Sequence, residues 1–231
     1  MVQINQPYLT LRLKFVKLGS LQYISHLDLV RTMHKVLIRT KLPLWYSEGF
    51  NPKPKMIFSQ PLSIGAQSVT EYMDIRVTEK VSEDCALELL NENVTDELRF
   101  LDAYYPESKL SDIKYFSYTI VVNTHGADDT LAKKCEELLN APQLIVSKKG
   151  KSGVSDVDIR PLISSASVVA ENGTLRISCV LSADPSAVLN PEYVIKALKD
   201  GGLILRDTNV LNEYYSIMRD RAHMADMSEY R

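Results

Sequence analysis

One order of strand and helix patterns occurs twice along this chain of 231 residues, and it constrains the fold more than any other feature. In the first half, apolar and polar residues alternate over YLTLRLKFVK, and SHLDLVRTMHKVLIRTK has the spacing of an amphipathic helix. Strand candidates KMIFSQPLS and TEYMDIRVT, a helix in SEDCALELLNEN and a strand in ELRFLDAYY follow. This half therefore has the order strand, helix, strands, helix, strand.

The second half repeats that order without visible sequence identity to the first. Its segments are the strand YFSYTIVVN, the helix DDTLAKKCEELLN, the strands PQLIVSKK, DIRPLISSASVVAE and TLRISCVLS, the helix NPEYVIKALKDGG and the strand LILRDTNVL. Split βαβ units have this order. We therefore predict an α+β fold of two tandem ferredoxin-like halves with antiparallel sheets, over residues 1–108 and 109–231. Residues 212–231 are expected to form a short C-terminal helix or a tail.

Residues that cap helices indicate where the predicted helices begin. Ser25 is expected to be the N-cap of the first helix, with Asp28 three residues later in a capping-box-like pattern. Ser82 and Asn190 are expected to cap two further helices. The apolar stripe of the first helix is predicted to consist of Leu27, Val30, Met33 and Leu37.

The composition excludes several classes of protein. Hydrophobic residues make up 45% of the chain and charged residues 24%, and no apolar run is long enough for a membrane span or a signal peptide. The three cysteines, Cys85, Cys135 and Cys179, are too widely spaced for a disulfide framework or a C-x-x-C metal site. We therefore expect a cytoplasmic protein that has no membrane partner and holds neither a metal nor a cofactor.

Charge is distributed unevenly along the chain, although the net charge is only −2. Residues 1–55 contain nine Lys or Arg and two acids, whereas residues 56–115 contain five Lys or Arg and twelve acids. An excess of positive charge in the first segment indicates an anionic partner such as nucleic acid. Alternatively, the basic and acidic segments neutralise each other in the folded chain.

The first predicted helix carries a row of cations. Arg31, Lys35 and Arg39 are spaced i, i+4, i+8 and therefore share one face, as contacts to a phosphate backbone require. A solvated helix face is the alternative. His26 lies at the start of the same helix and is a weak candidate for an acid or base.

The segment YSEGFNPKPKM, residues 46–56, is neither helical nor apolar enough for a core strand. Its prolines and Gly49 fix the shape of a loop without secondary structure. Aromatic rings beside cations suit an unpaired base, although a rigid turn with buried aromatic residues is the alternative. The candidate binding residues in this loop are Tyr46, Phe50, Asn51, Lys53 and Lys55.

A second basic segment, SKKGKSGVSDVDIRPLI, is predicted to be a hairpin whose tip interleaves lysine and glycine. Such a tip can contact phosphates, and an ordinary hairpin loop is the alternative. Arg160 is expected within the strand that follows. The candidate residues are Lys148, Lys149, Lys151 and Arg160.

Between Phe15 and Asp74 three motifs occur in order, and VDIRPLI follows at Val157–Ile163. The motifs are F-x-K-x-G-x-L-x-[YF]-[IL]-S-H-L-D-L-x-R, L-P-x-x-Y-S-x-G-F-N-P-x-P-K and P-L-x-x-G…E-Y-x-D. In these motifs the chain resembles the bacterial radical-SAM-linked protein family, a domain of unknown function. The resemblance implies a radical S-adenosylmethionine protein, fused to the domain or encoded beside it, as partner. Because this chain lacks the C-x-x-x-C-x-x-C run of such an enzyme, it resembles a non-catalytic companion.

Three hypotheses for the function follow. The leading one is an accessory protein that binds RNA or presents a substrate to a radical SAM enzyme acting on RNA or a ribosomal component. The second is an RNA-processing or RNA-modifying enzyme, with His26 as acid or base and Arg31 or Lys55 stabilising charge. The third is a protein–protein adaptor that binds no nucleic acid. No G-x-S-x-G motif, paired-carboxylate signature or nucleophilic-cysteine context is present, which favours a binding protein over an enzyme.

Overall fold

The computed structural model describes residues 8–150, 153–207, 209 and 211–231. Within these residues the chain forms four α-helices and ten strands. The helices are α1 (His26–Arg39), α2 (Glu83–Asn91), α3 (Asp129–Leu139) and α4 (Glu192–Asp200). The strands are β1 (Leu9–Lys17), β2 (Met56–Phe58), β3 (Ala66–Val77), β4 (Phe100–Tyr104), β5 (Tyr115–Asn123), β6 (Ile145–Gly150), β7 (Gly153–Asp158), β8 (Ile163–Glu171), β9 (Thr174–Ser182) and β10 (Tyr214–His223).

The chain divides into two compact units, one that runs to Asp112 and includes Arg231, and one that spans Ile113–Tyr230. In the first unit β1 lies between β4 and β3, β2 pairs with β3, and these pairings are antiparallel. One apolar core joins these strands to both helices. Its members include Leu13 and Phe15 of β1, Met33 of α1 and Leu90 of α2. The helices therefore cover one face of the sheet.

In the second unit the antiparallel strand order is β10, β5, β9, β8, and β6 and β7 form a separate hairpin. Alternate residues of β5 and β9 are buried, as the period of two in their sequences predicts. Buried Cys135 and Leu139 of α3 and Val194 and Leu198 of α4 supply the helical part of the apolar interior. Each unit is thus an α+β arrangement with an antiparallel sheet, as predicted.

The N-cap of α1 is confirmed. Ser25 Oγ accepts a hydrogen bond from the backbone N–H of Asp28 at 3.2 Å and donates one to Asp28 Oδ2 at 2.7 Å. Ser82 also occupies an N-cap position, but its side chain makes no capping bond. Asn190 lies one residue before the cap position Pro191, and its Oδ1 accepts from the N–H of Glu192 at 3.0 Å.

The predicted apolar stripe of α1 is wrong in part. Met33 and Leu37 are buried, but Leu27 is 56% exposed and Val30 is only half-buried. Leu29 and Val36 complete the buried face instead. The spacing 29, 33, 36, 37 keeps the stripe on one side of a helix with 3.6 residues per turn.

The C-terminal part of the second unit differs most from the sequence-based expectation. The described residues of 203–211 form turns and bends instead of a strand, and 214–223 form β10 instead of a helix or tail. A polar network holds the chain at Asp207, because the buried Glu213 carboxylate accepts bonds from Thr124 Oγ1 and from the N–H groups of His125 and Asp207. Arg160 is likewise in a short 3₁₀ turn, Arg160–Leu162, and not in a strand.

Candidate nucleic-acid interface

The exposed face of α1 carries the predicted cationic row. Arg31, Lys35 and Arg39 are all exposed, because the opposite face of the helix is committed to the apolar core. Arg31 Nη1 lies 3.2 Å from Asp28 Oδ1, and both side chains are more than half exposed. Within the described part of the chain, Lys35 and Arg39 form no ion pair. Their charges are therefore available to an anionic ligand.

Hydrogen bonds between Ser47 and Lys53 close the loop of residues 46–56 on itself. The N–H of Ser47 donates to the carbonyl of Lys53 at 2.9 Å, and the N–H of Lys53 donates to Ser47 Oγ at 3.1 Å. Tyr46 forms a bridge with Pro54. Gly49 has a φ of +117°, which side chains rarely tolerate, so the turn at the tip requires glycine. The loop has a defined shape, as the prolines predict.

The two aromatic side chains of this loop point to solvent. Phe50 at the tip is fully exposed and Tyr46 is 42% exposed. The alternative of a rigid turn that buries its aromatic residues therefore does not describe this loop. An exposed ring has few packing contacts to break when it stacks on a ligand, and stacking removes its apolar surface from water.

The charge of the loop reaches α1 at His34. Burial lowers the pKa of His34, and the positive charge of Lys53 lowers it further. The Nδ1 atom of His34 is buried and has no hydrogen-bond partner in the described residues. Lys53 therefore lies within electrostatic range of α1, on which Arg31 and Lys35 are exposed. His34 was not among the residues predicted from sequence, since nothing in its spacing distinguishes it.

The other cations of the loop are also free of carboxylates. Lys53 and Lys55 are exposed, as is Asn51, and neither lysine forms an ion pair with a described residue. Neutralisation of the basic segment does occur at Arg12, which binds Asp74. The charge excess of residues 1–55 is therefore neutralised in part and displayed in part.

His26 is half-buried in an aromatic cluster. Its ring meets Phe58 edge-on, with centroids 5.3 Å apart, and Phe58 meets Phe15 at 6.4 Å. These contacts give the imidazole a packing role at the start of α1. Its proposed use as an acid or base stays a prediction.

The basic hairpin belongs to the second unit. β6 and β7 pair from Ile145 and Asp158 to Gly150 and Gly153, so the predicted hairpin is present. Lys148 is exposed, with Nζ 5.4 Å from the ring centre of Tyr193. Arg160 Nη1 donates to the carbonyl of Ile163 at 2.6 Å, which is a structural contact. Lys151 and the side chain of Lys149 lie outside the described residues.

Two of the three cysteine thiols are too buried for nucleophilic chemistry. Burial raises the pKa of Cys135 to about 11. Burial, together with the charge of Asp220, raises the pKa of Cys179 to about 12. Both thiols therefore stay protonated near neutral pH, and the thiolate is the reactive form. No helix in the described part of the chain combines the length and apolarity needed to cross a membrane.

The motifs that the sequence displays between Phe15 and Ile163 lie inside a single family match. The chain belongs to a bacterial protein family. A family model described as an uncharacterized protein conserved in bacteria (DUF2344) matches residues 10–191. No curated protein sequence matches the chain. The matched region includes α1, the 46–56 loop and the hairpin, and the description of this family names neither an activity nor a radical SAM protein.

Proposed function

We propose that this member of the family binds RNA through the surface formed by α1 and the 46–56 loop. The observation that carries the proposal is the exposure of cations on both elements, Arg31 and Lys35 on α1 and Lys53 on the loop. The charge of Lys53 acts on His34 of α1, and the exposed ring of Phe50 lies on the same loop. We call these residues, with Arg39, Tyr46, Asn51 and Lys55, the basic surface.

The chemistry of the basic surface suits single-stranded RNA. Cations spaced four residues apart on a helix recur every ~6 Å along its axis, which suits a chain of phosphates. The exposed rings of Phe50 and Tyr46 offer stacking to unpaired bases, which have accessible faces. Phosphate contacts of this kind give affinity that depends on salt and little on sequence.

The role that we propose is that of an accessory protein, which presents RNA or a ribosomal component to a radical SAM enzyme. The motifs between Phe15 and Asp74 support this role by their resemblance to radical-SAM-linked proteins. The chain has only three, widely spaced cysteines, so the cluster of such an enzyme would belong to the partner. We further propose that each unit is ferredoxin-like. In support, β1 in one and β5 in the other lie between the last strand of the unit and the strand before its second helix.

RNA binding can be tested by fluorescence anisotropy with total tRNA and rRNA fragments over a salt series. The double variant Lys53→Glu/Lys55→Glu should weaken binding at least about tenfold and lower the salt dependence by about one to two counterions. The matched control is Lys133→Glu/Lys134→Glu, because both lysines are exposed on α3 of the second unit. The control should retain the affinity of the original chain within about twofold.

Three results would contradict this proposal. Binding could be absent at low salt, it could be insensitive to the Lys53 and Lys55 changes, or the control variant could weaken it equally. Co-purification with a radical SAM protein in the absence of any nucleic acid would instead support the adaptor hypothesis. Binding to RNA without any radical SAM partner would limit the role to RNA binding.

A further inference from the structure

A hydroxyl-rich cavity of about 530 Å³ lies on the sheet of the second unit. Strands β5, β8, β9 and β10 all contribute to its lining. Asp220 and Arg221 supply its charges. The serine and threonine residues in the lining are Ser117, Thr119, Ser165, Ser167 and Ser178. This cavity shares no residue with the basic surface.

One of these hydroxyls is bound to a histidine. Ser117 Oγ lies 2.6 Å from His223 Nε2, across the pair of strands β5 and β10. The other ring nitrogen, Nδ1, lies 3.3 Å from the carbonyl oxygen of Met227. A carbonyl only accepts, so this contact needs the proton on Nδ1 and leaves a lone pair on Nε2. Ser117 is then the donor to His223, which is the polarity of a serine with its general base.

The group that orients His223 is held in an unusual backbone conformation. Met227 has a φ of +67°, a value rarely adopted by residues other than glycine. The turn is fixed by the N–H of Met224, which donates to the carbonyl of Ser228 at 3.0 Å, and by Asp226, which accepts from Ser228. Strain of this kind persists where the surrounding structure enforces it, and it is enriched at functional sites. Here the strained turn directs the carbonyl oxygen of Met227 toward the imidazole of His223.

A β-bulge in β10 places charge near the same serine. The register of β10 against β5 shifts between Arg219 and Arg221, and Arg221 lies directly opposite Ser117. Arg221 is exposed and forms no ion pair with a described residue. Bulges often redirect side chains beside active sites. A guanidinium opposite the hydroxyl can stabilise negative charge that develops on a reacting carbonyl.

We propose that Ser117 is a nucleophile, with His223 as its general base, and that the cavity accepts a polar carboxylic ester. Ser117 Oγ bonds to the carbonyl carbon while its proton passes to His223 Nε2, and the carbonyl oxygen becomes an anion opposite Arg221. The C–O bond of the ester then breaks, and the alcohol leaves with the proton from His223. A water oxygen then bonds to the acyl carbon while one of its protons passes to His223 Nε2. The bond between Ser117 Oγ and the acyl carbon breaks, Ser117 Oγ takes the proton back from His223, and the carboxylic acid leaves. The proposal is independent of RNA binding by the first unit.

The experiment is labelling of the intact chain with a fluorophosphonate, followed by mass-spectrometric mapping, together with hydrolysis of 4-nitrophenyl acetate. The label is expected on Ser117. Ser117→Ala should abolish it, and His223→Gln should slow it by about 10²-fold or more, as loss of a general base does. Ser216→Ala is the matched control, because Ser216 is an exposed serine of β10 that does not line the cavity. It should be labelled at the original rate.

Mapping on the unmodified chain keeps the test valid even where a variant fails to fold. No labelling at Ser117, a label on a different serine, or an undiminished rate in a folded His223→Gln variant would each overturn the proposal. In those cases the Ser117–His223 contact is a cross-strand hydrogen bond with a structural role only. Site-specific labelling that depends on His223 would establish the nucleophile.

Discussion

The first helices of the two units begin alike and differ in what they display. Each begins with a side-chain cap, Ser25 for α1 and Asp128 for α3, that accepts a hydrogen bond from the N–H three residues later. The exposed face of α1 then carries a row of cations, whereas α3 exposes Lys133 and Lys134 together with Glu137. Both helices therefore begin with the same kind of N-cap. They differ in the charged side chains on their exposed faces.

The connections that follow these helices differ even more. After α1 the chain forms the closed 46–56 loop with its exposed Phe50, and after α3 it forms the hairpin of β6 and β7. Connections tolerate changes that the sheet and the core do not, so functional residues concentrate there. A shared order of elements thus leaves the two units free to carry different sites.

The strands that open the two units provide a third contrast. Arg12 of β1 is 1% exposed. Its Nε donates a hydrogen bond to Asp74 Oδ1 at 2.7 Å, and its Nη2 donates one to Asp74 Oδ2 at 2.9 Å. In β5 the polar residues Ser117 and Thr119 line an open cavity. The first unit thus places a polar residue of its opening strand in a buried ion pair, and the second unit places two at an open cavity.

The largest effect is expected from breaking the buried pair. Arg12→Met should lower the free energy of unfolding by about 3–5 kcal/mol, because Asp74 would remain buried without its partner. The matched control is Arg31→Met, which removes an exposed pair with Asp28 and should cost no more than about 1 kcal/mol. Urea unfolding measures both. Equal losses in the two variants would show that burial does not distinguish the two pairs.

The second prediction concerns the buried face of α1. Met33→Ala should destabilise the chain by about 2–5 kcal/mol, since Met33 is fully buried in the first core. Leu27→Ala should change stability by no more than about 0.5 kcal/mol, because most of the Leu27 side chain is exposed. Both can be measured by urea unfolding. A large loss of stability in Leu27→Ala would show that Leu27 belongs to the buried face of α1, as the sequence predicted.

The third prediction tests whether the loop tip recognises bases. Phe50→Ala should weaken RNA binding by about 1–3 kcal/mol, the contribution of one stacked base, without lowering the salt dependence. Val154→Ala is the control, because Val154 is an exposed apolar residue of β7 in the second unit. Anisotropy titrations at two salt concentrations separate the loss of stacking, which lowers the affinity at both, from a loss of phosphate contacts, which changes the salt dependence. If Phe50→Ala binds RNA as the original chain does, the loop contributes charge alone.

Elements in which local patterns and packing agree could be predicted from the sequence. The alternation in β1, β5 and β9 and the cap at Ser25 reflect interactions within a few residues. β10 lacked such a signal for a physical reason. The residue of β10 that faces inward at position 219 is a charged arginine, whose Cζ lies 4.0 Å from the ring centre of Phe116. The β-bulge after Arg219 also interrupts the period of two along the strand. Apolar residues in 203–211 instead suggested a strand, whereas the described residues of this range form turns and bends, and the N–H of Asp207 donates to the buried Glu213.

Exposure and proximity set the limit of prediction for the candidate sites. The cations of α1 and the shape of the 46–56 loop followed from spacing and from proline and glycine. The electrostatic effect of Lys53 on His34 did not, because the two residues are nineteen positions apart and only the fold brings them within range. The Ser117–His223 pair spans 106 positions and belongs to no sequence motif. Sequence patterns describe neighbours along the chain, and sites are assembled from neighbours in space.

The smallest effect is expected at the cap of α1, where it depends on pH. The hydrogen bond from Ser25 and, to a lesser degree, the interaction with Arg31 lower the pKa of Asp28 below its usual value of 3.8. Because the folded chain then holds this proton more weakly than the unfolded chain, the carboxylate stabilises the fold above that pH. The contribution is lost as the pH falls through the lower pKa of the folded state. Asp28→Asn should therefore destabilise the chain at pH 7 and have progressively less effect below about pH 4, as urea unfolding across that range can measure. In a Ser25→Ala background the pH dependence of this difference should shrink, since the main cause of the lowered pKa is removed. An unchanged pH dependence there would instead assign the effect to Arg31 and to the positive end of the helix dipole.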